Sequence, residues 1–263
     1  MALKFSNINQ ESRDYKFVFI AGLHKSGTTV LADSLKGHPD ISGFSNAGVP
    51  KDEGQFLQSV FPAAKEFGGP GSFGFRDEMH LTENSPLLTA ENQEKIFQEW
   101  SRYWDMTKPL LLEKSPPNIL KTRFLQELFP NSYFITITRH PIAASYATMG
   151  WGKRDLKSLL EHWITCHNIF QQDKEYLENL FVLKYEDFVE DPEFFLKEIY
   201  SFLGIKSYKR TIIVEKKLNA KYFKKWEADV KRDSWLKENF LYLKYRRLEK
   251  EINKFGYSLY DLQ

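Results

Sequence analysis

Residues 17–37 read FVFIAGLHKSGTTVLADSLKG, and this stretch decides the fold class of the chain. Its first seven residues form a short, continuous apolar run, which is the pattern of a strand buried in a parallel sheet. A glycine-containing turn follows the run, and residues 28–37 then read as a helix that ends at Gly37. The stretch therefore predicts a strand–turn–helix unit of an α/β domain.

The rest of the chain repeats this alternation of apolar runs and helical segments. Three further runs read as strands, at residues 110–112, 133–138 and 181–183. Helices are predicted around them, at residues 118–129, from Pro141 onwards, at 156–170 and at 192–204. Strands that alternate with helices build a parallel sheet. We therefore predict one three-layer α/β domain over residues 1–263, with a central parallel sheet flanked by helices.

Two segments depart from this alternation. Residues 42–82 are rich in glycine and phenylalanine, and a long irregular stretch inside a compact domain is often a binding loop. Its phenylalanines either line an apolar pocket or belong to the core. Residues 206–263 carry 16 basic and 8 acidic side chains and read as mostly helical. This second segment forms either a solvated lysine-rich face or a basic wall that faces an anionic ligand.

The composition of the whole chain excludes several classes of protein. With 37 basic and 35 acidic residues the formal net charge is only +2, which argues against a nucleic-acid partner. Hydrophobic residues make up 42% of the chain, too many for a disordered protein. Cys166 is the single cysteine, which excludes an internal disulfide and favours a reducing compartment. No stretch has the pattern of a signal peptide or a membrane span, so we expect a cytoplasmic protein.

The turn after the first predicted strand has the composition of an anion-binding loop. Gly22 and Gly27 have the spacing of a P-loop, but Lys25 precedes the second glycine, whereas the lysine of a P-loop follows it. Backbone amides at the new helix N-terminus point at an anion, and the helix dipole favours negative charge. Lys25 adds a full charge, and Thr28 and Thr29 add hydroxyl donors. The alternative is a tight turn with a solvent-exposed lysine.

Residues 23–29, LHKSGTT, resemble the 5′-phosphosulfate loop of the PAPS-dependent sulfotransferases, with His24 in place of the usual proline. Residues 139–141, RHP, are similar to the family's 3′-phosphate motif, and residues 182–188, VLKYEDF, to another recurrent stretch. The resemblance covers residues 17–226 and is nearest to bacterial relatives of the tyrosylprotein and carbohydrate sulfotransferases. It implies a P-loop NTPase-like domain that takes 3′-phosphoadenosine-5′-phosphosulfate (PAPS) as cosubstrate and releases 3′-phosphoadenosine-5′-phosphate (PAP).

The resemblance also implies a nucleotide site assembled from distant parts of the chain. The loop residues would hold the 5′ end of PAPS: His24, Lys25, Ser26, Gly27, Thr28 and Thr29. Lys25 would neutralise the charge that develops on the oxygen between phosphorus and sulfur. Arg139 would hold the 3′-phosphate through a bidentate contact, and Lys114 matches a lysine near the transferring sulfuryl group. Alternatively, Arg139 forms a structural salt bridge and Lys114 lies in an exposed turn.

One position departs from the family pattern at the 3′-phosphate. The family has a serine eight residues after the arginine, where this chain has Ala147. Thr148 and Ser145 lie on either side of it. Because one residue rotates a helix by about 100°, Thr148 is nearer the expected face than Ser145. We expect one of these two hydroxyls to contact the cofactor.

The basic C-terminal part contains interleaved cations and aromatics at residues 219–226, NAKYFKKW. The family has a basic segment in this region that folds over the nucleotide. The resemblance implies that Lys221 or Lys224 approaches the 3′-phosphate. It also implies that Tyr222 or Trp226 covers the adenine. The alternative is an amphipathic helix whose aromatic side chains face the core.

A general base must take the proton of the acceptor hydroxyl. Glu53 is the first candidate, because its motif follows the HPDI segment at residues 38–41, as a catalytic glutamate does in tyrosylprotein sulfotransferases. The remaining candidates are Glu113, His80 and Glu83. We predict no metal site, because His162 and His167 lie five residues apart on one predicted helix, a poor spacing for ligands.

The sequence therefore predicts an enzyme that moves a sulfuryl group from PAPS to a hydroxyl or amine of a small-molecule, carbohydrate or peptide acceptor. One alternative is a P-loop kinase that acts on a small molecule, against which the displaced Lys25 argues. A second alternative is a non-catalytic nucleotide-binding module. The joint presence of Lys25, Lys114 and Arg139 argues against that module.

Overall fold

The computed structural model of the chain describes residues 15–152, 154–209, 214–234 and 240–262. Among these residues, five strands form one sheet in which every neighbouring pair is parallel. The strands are β1 (Lys16–Gly22), β2 (Ile41–Gly43), β3 (Leu110–Lys114), β4 (Ser132–Thr138) and β5 (Leu180–Lys184). Their order across the sheet is β2-β3-β1-β4-β5, so the first predicted strand is the central one.

Helices connect these strands, as the alternating sequence pattern predicts. In the described part of the chain they are α1 (Thr28–Leu35), α2 (Ala90–Ser101), α3 (Thr122–Leu128), α4 (Pro141–Met149), α5 (Leu156–Asp173), α6 (Tyr185–Glu190), α7 (Pro192–Phe202), α8 (Ala220–Ser234) and α9 (Phe240–Asn253). Side chains cap several of them: Asp155 and Asp191, for example, accept a hydrogen bond from the first turns of α5 and α7. No helix among the described residues is long and apolar enough to cross a membrane.

Two hydrophobic layers pack against opposite faces of β1. Val18 and Ile20 belong to the cluster that contains α1, α6 and α7. Phe17 and Phe19 point the other way, into the cluster that contains α2 and α3. All four side chains are completely buried, which explains why the strand reads as a continuous apolar run. The predicted three-layer architecture, a central parallel sheet flanked by helices, is confirmed.

A third cluster joins the helices that follow β4 to the C-terminal part of the chain. Trp163 of α5 packs there with Ile142 of α4, Trp226 of α8 and Ile252 of α9. Three parts of the basic segment, residues 210–213, 235–239 and 263, lie outside the described residues. The described remainder of that segment contributes α8 and α9, which cover α4 and α5.

Residues 42–82 contain the end of β2 and five short 3-10 turns, and are otherwise irregular. Phe61 and Phe73 are buried in two different hydrophobic clusters. Phe56 and Phe67 are half-buried, and Phe75 is exposed. The phenylalanines of this segment therefore serve both as core residues and as surface residues, and neither of the two expected roles holds for all of them.

The helix predicted at residues 118–129 is divided in the structure. Pro116–Leu120 form a 3-10 turn, and α3 begins only after Lys121, whose φ of −132° is not helical. The side-chain amide of Asn118 explains the division, because its Nδ2 donates hydrogen bonds to the Ile20 carbonyl and to the Glu113 carboxylate. These contacts hold the turn against two strands. The strand β2 and the helix α2 have no counterpart among the elements predicted from the sequence.

The central position of β1 leads to a prediction for stability. Phe19→Ala should lower the free energy of unfolding by about 3–5 kcal/mol, because a fully buried ring is lost from the core. Val182→Ala is the matched control: Val182 lies on the edge strand β5 and is 50% exposed, so its loss should cost less than about 1 kcal/mol. Urea denaturation measures both values, and equal losses would contradict the central position of β1.

Candidate active site

The loop between β1 and α1 lies at the carboxyl edge of the sheet, where ligands of open parallel sheets bind. Lys25 and Gly27 both have positive φ, 67° and 99°. A Cβ atom on Gly27 would lie 2.5 Å from the ring of Tyr185, so only glycine fits at this point of the loop. The Ser26 hydroxyl and the Nδ1 atom of His24 are buried and find no hydrogen-bond partner among the described residues. Buried polar atoms in this state are suited to a ligand.

Arg139 follows β4 and meets this loop directly. Its Nη1 donates a hydrogen bond to the Lys25 carbonyl at 2.6 Å, and its Nε donates to Oδ1 of Asn219 at 2.9 Å. The guanidinium lies 4.4 Å from the ring centroid of Tyr185. Arg139 is 3% exposed, and its Nη2 has no partner within the described ranges. The arginine therefore keeps donor capacity for an anion.

Three cations from other parts of the chain lie close enough to Lys25 to act on its charge. Partial burial lowers the pKa of Lys25, and the charges of Lys51, Arg139 and Lys221 lower it further. Like charges gathered at one site repel one another, and a multiply charged anion relieves this repulsion. Lys51 is a site residue that sequence reasoning missed. Its backbone and that of Asp52 have positive φ, 55° and 49°, which no sequence pattern indicates.

Glu53 and Lys114 form an ion pair beside these cations. The Lys114 ammonium donates to Oε1 of Glu53 at 3.1 Å and to the Lys51 carbonyl at 3.0 Å. Gln55 donates to the second oxygen of the Glu53 carboxylate at 2.5 Å. Glu53 and Lys114 are 6% and 4% exposed. Burial raises the pKa of Glu53, and the charge of Lys114 opposes that rise. The alternative in which Lys114 lies in an exposed turn is therefore wrong.

Glu113, a further candidate for the base, is instead an anchor. Its carboxylate accepts hydrogen bonds from the Gly54 amide, the Ser115 hydroxyl and the Asn118 amide. A Cβ atom on Gly54 would lie 2.5 Å from this carboxylate, so the loop approaches β3 as closely as the backbone allows. Glu113 thus fixes the turn that carries Glu53.

His80 and Glu83, the remaining candidates for the base, belong to a separate ion-pair network. His80 contacts Asp173 of α5 at 2.8 Å, and Glu83 pairs with Arg123 of α3. Arg123 also contacts Asp173, which joins the two pairs. Both side chains thereby hold residues 80–83 to α3 and α5. Glu53 is the candidate whose charged partner lies at the carboxyl end of β3.

The two hydroxyls on α4 differ in their availability. Both Ser145 and Thr148 are buried, and together with His24 they line a small cavity. Thr148 donates to the Ala144 carbonyl at 2.8 Å, whereas the Ser145 hydroxyl has no partner in the part of the chain that the structure describes. The structure therefore favours Ser145 over Thr148 as a hydroxyl for a ligand.

Among the aromatics of α8, the structure corrects the expectation for Trp226. Its indole is buried in the third hydrophobic cluster and donates to the Leu259 carbonyl at 2.7 Å, so it does not cover an adenine. Tyr222 is half-buried, and its ring centroid lies 5.6 Å from the Arg139 guanidinium. Lys221 is exposed beside it. Burial of the apolar face of an amphipathic helix accounts for the difference between the two aromatics.

An unpredicted aromatic, Trp151, stands over the loop. The Lys25 ammonium lies 3.7 Å from the centroid of its ring, a cation–π contact. The indole is 52% exposed. No sequence signal connects residue 151 with the loop, because the contact depends on how α4 ends.

The described histidines offer no metal centre. His162 accepts a hydrogen bond from the Gly74 amide, and His167 bonds the Trp163 carbonyl. No group of three or more His, Cys, Asp or Glu side chains among the described residues is placed to hold a metal ion.

Residues 18–210 match the model of the sulfotransferase family, and the chain belongs to that family. It is 24% identical over 222 residues to protein-tyrosine sulfotransferase 2 of Gallus gallus, an alignment that covers 80% of this chain and 56% of the relative. It is 22% identical over 205 residues to protein-tyrosine sulfotransferase 1 of Danio rerio, covering 74% and 54%. The chain thus spans about half the length of these curated relatives. The family predicted from the sequence is confirmed.

A solved structure supports the fold. The sulfotransferase domain from the Synechococcus PCC 7002 olefin synthase matches with a TM-score of 0.51 and 20% sequence identity. The match covers 84% of this chain and 90% of that domain.

The anchoring role of Glu113 leads to a prediction for pH dependence. Burial raises the pKa of Glu113 to about 7, against about 4.3 for an exposed glutamate. Between these values the folded state binds more protons than the unfolded state, so this carboxyl makes stability fall as the pH rises. Relative to Glu113→Gln, the wild type should lose on the order of 2 kcal/mol of unfolding free energy between about pH 5 and about pH 8.

Urea denaturation at a series of pH values measures this difference. The exposed Glu91 on α2 provides a control, and Glu91→Gln should follow the wild-type curve at every pH. Parallel curves for the wild type and Glu113→Gln would contradict the effect of burial on Glu113.

Proposed function

We propose that the protein transfers a sulfuryl group from PAPS to an acceptor hydroxyl and releases PAP. The observation that carries the proposal is the direct contact of Arg139 with the Lys25 loop. Buried polar atoms without a partner among the described residues lie there beside several cations. PAPS has negative charge at its 3′-phosphate and at its 5′-phosphosulfate, and the two groups are held by one ribose. A site with one cation for each group, joined by a direct hydrogen bond, suits that molecule. Membership of the sulfotransferase family supports the same conclusion.

The proposed reaction is an in-line displacement at sulfur. The acceptor oxygen forms a bond to sulfur while the bond between sulfur and the 5′-phosphate oxygen breaks. The electron pair of the broken bond stays on the 5′-phosphate of PAP, where Lys25 and the amides of the loop stabilise the added charge. Lys25 must turn from the Trp151 ring to do this, because its ammonium now contacts that ring.

Glu53 takes the acceptor proton in this proposal. The ion pair with Lys114 keeps its carboxylate ionised and therefore able to accept a proton. When Glu53 becomes neutral, the attraction that holds the Lys114 ammonium weakens. Lys114 is then free to stabilise the sulfuryl oxygens, so one proton transfer both activates the acceptor and releases a cation.

The names of the curated relatives favour a phenolic hydroxyl, such as a peptide tyrosine, as acceptor. A small-molecule or carbohydrate hydroxyl and an amine are the remaining classes. A panel of tyrosine peptides, simple phenols, sugars and amines with labelled PAPS separates them. We also propose a cytoplasmic location, supported by the single cysteine, Cys166, which is free and buried.

Substitution of Lys25 tests the proposed transfer. Lys25→Ala should lower kcat by roughly 10²–10³-fold, because the charge on the departing phosphate loses its cation. Lys95→Ala, on the exposed face of α2, should leave kcat unchanged. The measurement is the formation of PAP from PAPS with a saturating acceptor, together with a thermal unfolding curve that shows both variants folded.

Stabilisation of the protein by a bound nucleotide is a second test of the proposed transfer, and one that can contradict it. PAP at about 100 times its Kd should stabilise the wild type by about 2.7 kcal/mol. Stabilisation by ATP with Mg²⁺ but not by PAP would overturn the proposal in favour of a kinase. Stabilisation by PAP without turnover of PAPS on any acceptor would favour a non-catalytic nucleotide-binding module.

The role of Glu53 predicts a pH profile. Because burial raises its pKa, kcat should fall on the acid side at a pH above the usual range of an exposed glutamate. Glu53→Gln should lower kcat by roughly 10²–10⁴-fold and remove that acid limb, while the affinity for PAP stays within a factor of about two. The exposed Glu78 of the same segment is the control, and Glu78→Gln should keep the wild-type profile. Wild-type kcat in Glu53→Gln at every pH would exclude Glu53 as the base.

A further inference from the structure

A chain of hydrogen bonds leads from the C-terminal part of the protein to Arg139. The Tyr257 hydroxyl donates to Oε2 of Glu186 at 3.1 Å. Oε1 of Glu186 accepts from Nδ2 of Asn219 at 2.6 Å. Oδ1 of Asn219 in turn accepts from Nε of Arg139 at 2.9 Å. These residues come from four separate segments, and none of the proposed steps of sulfuryl transfer uses Glu186, Asn219 or Tyr257.

The chemistry of Glu186 decides how the Asn219 amide is oriented. An ionised carboxylate only accepts hydrogen bonds, so the Asn219 NH₂ group must face Glu186. The amide oxygen is then the end that faces Arg139. Glu186 is itself fixed, because its Oε1 also accepts from the His140 amide at 3.0 Å. Glu186 therefore sets which end of the Asn219 amide faces Arg139, and the His140 amide holds Glu186 in place.

The Asn219 oxygen in turn sets the plane of the guanidinium. Nε of Arg139 is held by Asn219, and Nη1 is held by the Lys25 carbonyl. Contacts at two of its three nitrogens fix the rotation of the planar group, and they leave Nη2 as the buried donor without a partner in the described residues. Without the Asn219 oxygen, the guanidinium is free to rotate about the Lys25 contact. Its Nη2 then no longer points in a fixed direction.

By its charge alone, Glu186 should weaken the binding of an anion at Arg139. A carboxylate this close to Arg139 repels a phosphate, so by charge its removal should strengthen the binding of an anion. A positioning role predicts weaker binding after the same change. The two accounts of Glu186 therefore differ in sign.

We propose that Asn219 is a positioning residue for the 3′-phosphate of the nucleotide, oriented by Glu186, with Tyr257 holding Glu186 in place. The inference rests on the proposed function, because it assigns the 3′-phosphate to Arg139. Recognition of the 3′-phosphate then requires that the C-terminal residues around Tyr257 pack against Glu186.

The test compares PAP with adenosine 5′-monophosphate, which lacks only the 3′-phosphate, by calorimetric titration of the full chain. Asn219→Ala should raise the Kd of PAP roughly tenfold, because Arg139 loses the contact that aims it. The Kd of adenosine 5′-monophosphate should change less than about twofold, since the 5′ site is intact. Asn84→Ala, at an exposed position, is the matched control and should change neither value.

Two further variants separate positioning from charge. Glu186→Ala should weaken PAP binding about as much as Asn219→Ala, whereas Glu186→Gln keeps an oxygen for the His140 and Asn219 amides and should lose less. Tyr257→Phe should raise the Kd of PAP by a factor of about three. Tighter PAP binding in Glu186→Ala would overturn the inference in favour of simple repulsion.

The failure of this inference is distinguishable from the failure of the proposed function. If the wild type binds PAP no more tightly than adenosine 5′-monophosphate, the 3′-phosphate site itself is wrong, and the inference falls with it. If the wild type prefers PAP and Asn219→Ala keeps the same preference, only the inference is overturned.

Discussion

The crowding of positive charge at the carboxyl edge of the sheet is the constraint on which the site depends. Partial burial and the charges of Lys51, Arg139 and Lys221 lower the pKa of Lys25, and no attraction among these cations holds them together. The fold must impose the arrangement. It does so through a central strand buried on both faces, a glycine loop and a direct hydrogen bond from Arg139 to the Lys25 carbonyl. A multiply charged anion relieves the repulsion among these cations, and the site therefore favours its binding.

Three carboxylates, of which Glu53 and Glu113 are buried and Glu186 is half-buried, complete this arrangement with different tasks. Glu113 accepts three donors and fixes the turn after residue 52, which places the next carboxylate, Glu53. Glu53 pairs with Lys114 and remains the group that exchanges a proton in the proposed reaction. Glu186 orients Asn219 behind the arginine. The same side-chain type thus acts as anchor, base and positioning group, and the difference lies in which groups donate to each carboxylate: a cation to Glu53, and only neutral donors to Glu113 and Glu186.

The sequence predicts the parts of this site that are local. The strand, the loop at residues 23–29 and Arg139 are contiguous motifs, and the structure brings them together. The division of the helix after Pro116 and the burial of Trp226 depend on tertiary contacts, with Asn118 in one case and Leu259 in the other. Lys51 reaches the site through a backbone with positive φ. Neither propensity nor spacing encodes such contacts, so these residues required the structure.

The most direct test of the account is an experimental structure of the protein with PAP. We expect the 5′-phosphate on the amides of residues 25–29 beside the Lys25 ammonium, and the 3′-phosphate within hydrogen-bond distance of Nη2 of Arg139. We also expect that the Lys25 ammonium has left the Trp151 ring. A nucleotide bound away from this loop, or a 3′-phosphate that does not contact Arg139, would contradict the proposed nucleotide site.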